Sequence, residues 1–270
     1  MRVISVANFK GGTGKTCTVC NMAAVLSDLG RRVLVIDADP QHNTSDFFGA
    51  EADGITLSHV LLGLADPRWA DVLSPTGREG VSILPADMDL LTLDLASMQA
   101  GGGSEAVTRM RSLIEEQRKA DAFDYVLIDC PPSFTAASVA ALSVSDDVII
   151  PTRVDRFSQT GVGELVEQIR QLLQVEPREM GWKILITMAD GTNLHRQGAE
   201  LLRSSFPTGS VFERAIRNTV KVGEATFARL PVTEYAPRST AAEDYRELVA
   251  EYLRAVGDAG PYKGGELNGD

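Results

Sequence analysis

The segment Lys10-Gly-Gly-Thr-Gly-Lys-Thr16 constrains this chain more than any other. It follows a short apolar, β-branched run, Arg2 to Ala7, and precedes a helix-like stretch from Lys15 to Gly30. Glycines at Gly11, Gly12 and Gly14 permit backbone angles closed to other residues, so amide hydrogens can turn inward on an anion. The helix that follows adds the positive end of its dipole. A strand, a glycine loop, Lys-Thr and a helix in that order read as a phosphate loop. In it Gly11, Gly12, Thr13, Gly14, Lys15, Thr16 and Cys17 cradle a nucleotide, Lys15 meets its terminal phosphates, and the Thr16 hydroxyl is offered to Mg²⁺. Lys10 is surplus to that motif.

The next apolar run, 31–39, stops at Asp37 and Asp39, and the run 124–129 stops at Asp129. Both runs are continuous rather than alternating, as expected of parallel strands buried on two faces. Further strand-like runs lie at 80–86, 147–152 and 183–189, separated by helical stretches, among them 104–120 and 240–256. The alternation predicts an α/β fold: a doubly wound, mostly parallel sheet with helices on both faces. In such a sheet the carboxyl ends of neighbouring strands face one crevice. Asp37, Asp39 and Asp129 are therefore expected beside the phosphate loop, with Asp129 serving Mg²⁺. No repeat or linker divides the chain, so one domain is expected over 1–257, followed by a flexible polar tail, 258–270.

Of the 270 residues, 44% are hydrophobic and 23% charged, and the formal net charge is −11. A protein coated in basic surface is excluded, a local basic patch is not. The three cysteines, Cys17, Cys20 and Cys130, are odd in number and widely spaced, which argues against a disulfide framework. With no secretory signal read at Met1 and Arg2, a reducing cytoplasm is expected.

The stretches KGGTGKT, VLVIDADPQHNTS, YVLIDCPPS, VIIPT and YAPRSTAAEDYRELV together resemble the ParA partitioning ATPases, the deviant Walker A family, in a small form. The similarity runs from about Val3 to Leu253. The resemblance implies ATP and Mg²⁺ as ligands and a homodimer that closes face to face on two ATP molecules. It implies a catalytic set of Lys10, reaching the partner's phosphates, Lys15, and Asp39, orienting the lytic water, with Asp37 serving the Mg²⁺ waters or the loop. It further implies slow hydrolysis stimulated by a ParB-like centromere-binding partner, and sequence-blind DNA binding that drives plasmid, chromosome or mobile-element segregation. That activity places the protein in the cytoplasm, on the nucleoid when ATP-bound. Candidate DNA contacts are Arg214, Arg217 and Lys221, with Arg196 and Arg203 as weaker ones. Met188 and Ile216 are expected against adenine.

Three departures qualify the match. The segment TMADGTNL lacks an arginine usual in the family, AIRN lacks a proline, and Cys17 stands where threonine is usual. Larger members carry a helix-turn-helix ahead of strand one. This sequence opens on strand one, so specific operator binding is not expected. An alternative is a MinD-like or cargo-positioning ATPase acting on a membrane or protein cluster. The closing helix and tail are acidic, which disfavours anionic lipid, so no membrane partner is expected. An iron–sulfur electron carrier lacks suitably placed cysteines. The DADPQ stretch disfavours a small-molecule ligase on the same fold.

Overall fold

The computed structural model describes residues 1–50, 54–66, 73–99, 104–155, 158–175 and 180–258. Seven strands form one sheet: β1 (Arg2–Val6), β2 (Val33–Asp37), β3 (Ser74–Pro75), β4 (Val81–Leu84), β5 (Tyr125–Asp129), β6 (Asp147–Arg153) and β7 (Gly181–Thr187). Their spatial order is β3-β4-β2-β5-β1-β6-β7. Every pairing is parallel except β3 with β4. The doubly wound sheet read from the sequence is the one observed.

Period-two geometry explains why its strands read as solid apolar runs. Successive side chains point to opposite faces, and both faces are covered. Leu34, Ile36, Val126, Ile128, Val148, Ile150, Ile184 and Ile186 enter one core, and Val33, Val35, Tyr125, Leu127, Ile149 and Leu185 the other. Helices α3 (Leu57–Leu62), α4 (Leu90–Gln99), α5 (Ser104–Ala120), α6 (Ala136–Val144), α7 (Ser158–Val175) and α8 (Asn193–Ser205) cover the first face. Helices α1 (Lys15–Asp28), α9 (Val220–Phe227), α10 (Val232–Tyr235) and α11 (Thr240–Ala255) cover the second. The short α2 (Asn43–Phe47) follows β2.

Helix ends follow local chemistry. Gly30 lies at φ 74 just past α1, the left-handed turn that glycine takes without strain. Thr135 caps α6, Thr192 caps α8 and Ser239 caps α11 through their side-chain oxygens. Asp258, assigned to the tail on sequence, is held by Arg31 at 2.8 Å and by the Tyr125 hydroxyl. The rest of that tail and the glycines 101–103 lie outside the described residues.

The closing helix is tied to the sheet by a polar knot at the strands' amino ends. Asp147 of β6 accepts hydrogen bonds from Arg2 of β1 and, at 2.6 Å, from the Tyr252 hydroxyl of α11. Hydrogen bonds to a charged, largely buried group contribute more than neutral ones. Tyr252→Phe is expected to lower unfolding free energy by about 2 kcal/mol, read from the urea midpoint at unchanged slope.

Candidate functional site: a phosphate loop facing two acidic strand ends

The loop leaves the sheet's interior strand β1. Gly12 and Gly14 sit at φ 68 and 89, where a side chain would strain the backbone. Gly11 does not share that conformation, and a Cβ built on it meets nothing within 4 Å. Two side chains missed on sequence hold the loop in place. Asn8 donates to the Pro151 carbonyl at 2.8 Å and accepts from the Lys10 amide at 3.0 Å. Thr187 donates to the Thr13 carbonyl at 2.8 Å. Gly14, the N-cap of α1, supplies no side-chain cap, so the first amides of that helix are left to an external anion.

Lys15 is only 8% exposed, and its ammonium donates to the Lys10 carbonyl at 3.2 Å. Burial lowers its pKa, opposed by the charges of Asp129 and Asp39. Lys10 instead turns out to the surface, where its ammonium pairs with Asp155 at 3.0 Å.

The register of β2, β5 and β1 assembles the acidic side. Asp37 and Asp129 are direct partners on adjacent strands, and Val6, the end of β1, is the next partner across. Asp129 Oδ2 accepts from Thr16 at 2.7 Å and from Thr44 at 2.6 Å. Its Oδ1 is buried with no hydrogen-bond partner, an arrangement proteins keep for an ion or water. Burial, then the neighbouring Asp37 charge, pushes its pKa up to about 7, while the two threonines and Lys15 pull the other way. A hydroxyl carries one proton and two lone pairs. With its proton on Asp129, Thr16 has lone pairs to offer a cation. Among the described residues no group of three or more His, Cys, Asp or Glu could hold a metal. One carboxylate, one hydroxyl and a substrate's phosphates suit Mg²⁺, which keeps several waters and rarely uses an all-protein cage. The residues present therefore fit Mg²⁺.

Asp37 is differently committed. Its oxygens accept from the Asp39 amide at 3.1 Å, the Ser45 amide at 2.8 Å and the Ser45 hydroxyl at 2.7 Å. Burial raises its pKa to about 6 against those bonds. It holds the segment that carries Asp39. Asp39 is 8% exposed and accepts from the Gln41 amide at 3.0 Å.

Beside the loop, a cavity of about 560 Å³ brings Met188 and Ile216 together with Gly14, Cys17, Val222 and Tyr245. Its lining is mostly apolar, as a nucleotide base requires. The basic residues of 213–225 have partners. Arg214 bonds the fully buried Asp244 at 3.2 Å and pairs with Glu247. Arg217 bonds Asp244 at 2.7 Å and Glu243 at 2.6 Å. Lys221 pairs with Glu224 at 2.7 Å. Arg196 and Arg203 contact the Asn193 side chain and the Glu213 carbonyl. Where the family arginine is absent, Asp190 accepts from Thr192 and faces His195 at 3.1 Å.

Comparison with known proteins gives a family. A model described as an AAA domain matches residues 1–180. The chromosome partitioning protein ParA of Caulobacter vibrioides is 34% identical over 257 residues, 94% of each chain. The chromosome-partitioning ATPase Soj of Thermus thermophilus is 34% identical over 265 residues, 96% of this chain and 98% of its own. The chain belongs to the ParA family of partitioning ATPases. A solved structure of cobyrinic acid a,c-diamide synthase from Mycobacterium smegmatis, with bound ATP analogue and magnesium, superposes with a TM-score of 0.78 at 30% identity, covering 97% of this chain and 98% of that one. The chain is an ATP hydrolase of the ParA family, with ATP and Mg²⁺ as its ligands. Among the described residues no helix is long and apolar enough to cross a membrane.

The raised carboxylate pKa has a sign that can be checked. A buried Asp129 that titrates at about 7 rather than near 4 binds its proton more tightly when folded. Stability is therefore lost as pH rises from about 4 towards 7. In EDTA without nucleotide, Asp129→Asn should melt above the wild type at pH 8, and that advantage should shrink towards pH 5, as followed by thermal unfolding.

Proposed function

We propose that this chain is a nucleotide-switched partitioning ATPase. Two ATP-bound copies close face to face, bind DNA without sequence preference and release it after hydrolysis stimulated by a ParB-like partner. The observation that carries the nucleotide half is the buried, unpartnered Oδ1 of Asp129 beside Thr16 at the mouth of the loop. Mg²⁺, when bound there, offsets phosphate charge that builds during phosphoryl transfer. Lys15 exchanges its bond with the Lys10 carbonyl for the terminal phosphate oxygens. Asp39, braced by Asp37, orients a water for in-line attack on the γ-phosphorus, giving ADP and phosphate. Phosphoryl transfer demands positioning more than basicity, so a carboxylate that is held in place suffices.

Lys10 supports the dimer half. It stands at the same sheet edge, and its ion pair with Asp155 is surface-exposed and hence weak. A second ammonium brought to the γ-phosphate by a partner copy makes closure depend on ATP rather than ADP. The DNA half rests on the relatives, which are described as chromosome-partitioning proteins. Because Arg214 and Arg217 are drawn onto Asp244, Lys221, Arg196 and Arg203 are the stronger candidates for phosphate contacts.

Asp39→Ala is expected to lower steady-state hydrolysis at least 10²-fold, with ATP affinity by equilibrium dialysis within about twofold of wild type. Lys10→Ala should keep single-copy ATP binding and lose hydrolysis. Unchanged hydrolysis in Lys10→Ala would sink the sandwich. The deciding experiment for the cargo is a DNA mobility shift with no nucleotide, ADP or non-hydrolysable ATP, at two salt concentrations. A shift seen only with the ATP analogue, weakened by salt and blind to sequence, is expected. No shift at low salt refutes DNA as the surface and favours a protein cluster. ADP production that needs an added small-molecule acceptor would favour a ligase.

A further inference from the structure

The strand-end acids account for one oxygen of Asp129 only in part. Oδ2 receives two hydroxyl protons, from Thr16 on α1 and from Thr44 on α2. Thr44 is fully buried, and the sequence, which places it near the end of the stretch VLVIDADPQHNTS, assigns it no role. Its chain position matters more than its burial. Residues 37–45 form a short arc that begins on β2, carries Asp39, and enters α2 through His42, a non-glycine residue at φ 45. The arc is fastened at two carboxylates. Asp37 grips it through the Asp39 amide and through both the amide and hydroxyl of Ser45. Asp129 grips it through the Thr44 hydroxyl. The first anchor joins the arc to its own strand, whereas the second joins it to the pair of groups that fit the metal.

We infer that Thr44 is a positioning residue that couples occupancy of the metal site to the placement of Asp39. Two donors on one oxygen fix the rotation of the Asp129 carboxylate and leave Oδ1 as its open acceptor. Anything that draws on that carboxylate acts through Thr44 on the arc five residues from Asp39. Metal binding thereby stiffens the segment that must hold the lytic water, and metal loss loosens it. This deepens the nucleotide reading given above and rests on it. The effect expected of such an outer partner is about tenfold in metal affinity.

The test uses the full-length protein, its Thr44→Val and Thr44→Ser variants, ADP and Mg²⁺. Fluorescent ADP binding is measured in EDTA and across a Mg²⁺ titration, and amide hydrogen exchange of residues 39–47 is followed with ADP alone and with Mg²⁺ added. In wild type, Mg²⁺ is expected to slow exchange across 39–47. Thr44→Val, close to isosteric, should bind ADP in EDTA as wild type does, need about tenfold more Mg²⁺ for its ADP complex, and show no Mg²⁺-dependent slowing. It should also lower kcat at saturating Mg²⁺ and ATP with little change in KM. Thr44→Ser, which keeps the hydroxyl, should restore all of these. Wild-type Mg²⁺ affinity and protection in Thr44→Val overturn the proposal. If Thr44→Val does not fold, the wild type alone decides: Mg²⁺ protection confined to residues 10–16 overturns it, and protection reaching 39–47 with Thr44→Ser intact supports it. Wild-type protein that binds no ADP in any condition overturns the nucleotide reading beneath, a result distinct from ADP binding without coupling.

Discussion

The site depends on one strand's position, that of β5 between its parallel neighbours β1 and β2. Parallel register sets the phosphate loop's strand, the Asp129 strand and the Asp37 strand to end side by side. No loop has to reach across the molecule. The cost is electrostatic: two carboxylates end up adjacent and buried, and both are pushed towards their neutral forms. Such a sheet edge is at ease only when a cation or hydrogen-bond donors face it. Ser45, Thr16 and Thr44 supply the donors, and one oxygen is left over.

The two acids solve that problem in opposite ways. Asp37 spends its acceptors on its own chain and becomes part of the scaffold. Asp129 keeps one acceptor unspent. Equal placement at a strand end therefore does not mean equal chemistry, and the difference lies in which neighbours have protons to give. The same logic separates Arg214 and Arg217, which bond Asp244, from Lys221, whose partner Glu224 lies on its own helix. Asp244, fully buried on α11, holds the partly exposed Arg214 and Arg217, and removing both arginines would leave a buried carboxylate without its charge partners.

The sheet, the loop and the acid-tipped strands were legible because each is written locally. A strand buried on two faces shows as an unbroken apolar run, and its end shows as the first acid. Asp37 and Asp129 were read that way, and Lys15 and Thr16 were read from the glycine loop. Asn8, Thr44 and Thr187 were not, because their partners lie far away in sequence and a lone polar residue gives no hint of what it touches. Arg214 and Arg217 were visible as charge, but their neutralising partners come about thirty residues later, on α11. Helices α2 and α10 are too short to carry a period, and in α4, LLTLDLASMQ, the apolar residues do not keep to one helical face.

The glycine loop is less uniform than its spelling. Gly12 and Gly14 are demanded by the backbone they adopt. Gly11 has an ordinary conformation and borders empty space, so nothing in the folded chain requires it to be small. A survey of variants scored by heat resistance alone would rate that first glycine as replaceable and its two neighbours in the motif as fixed.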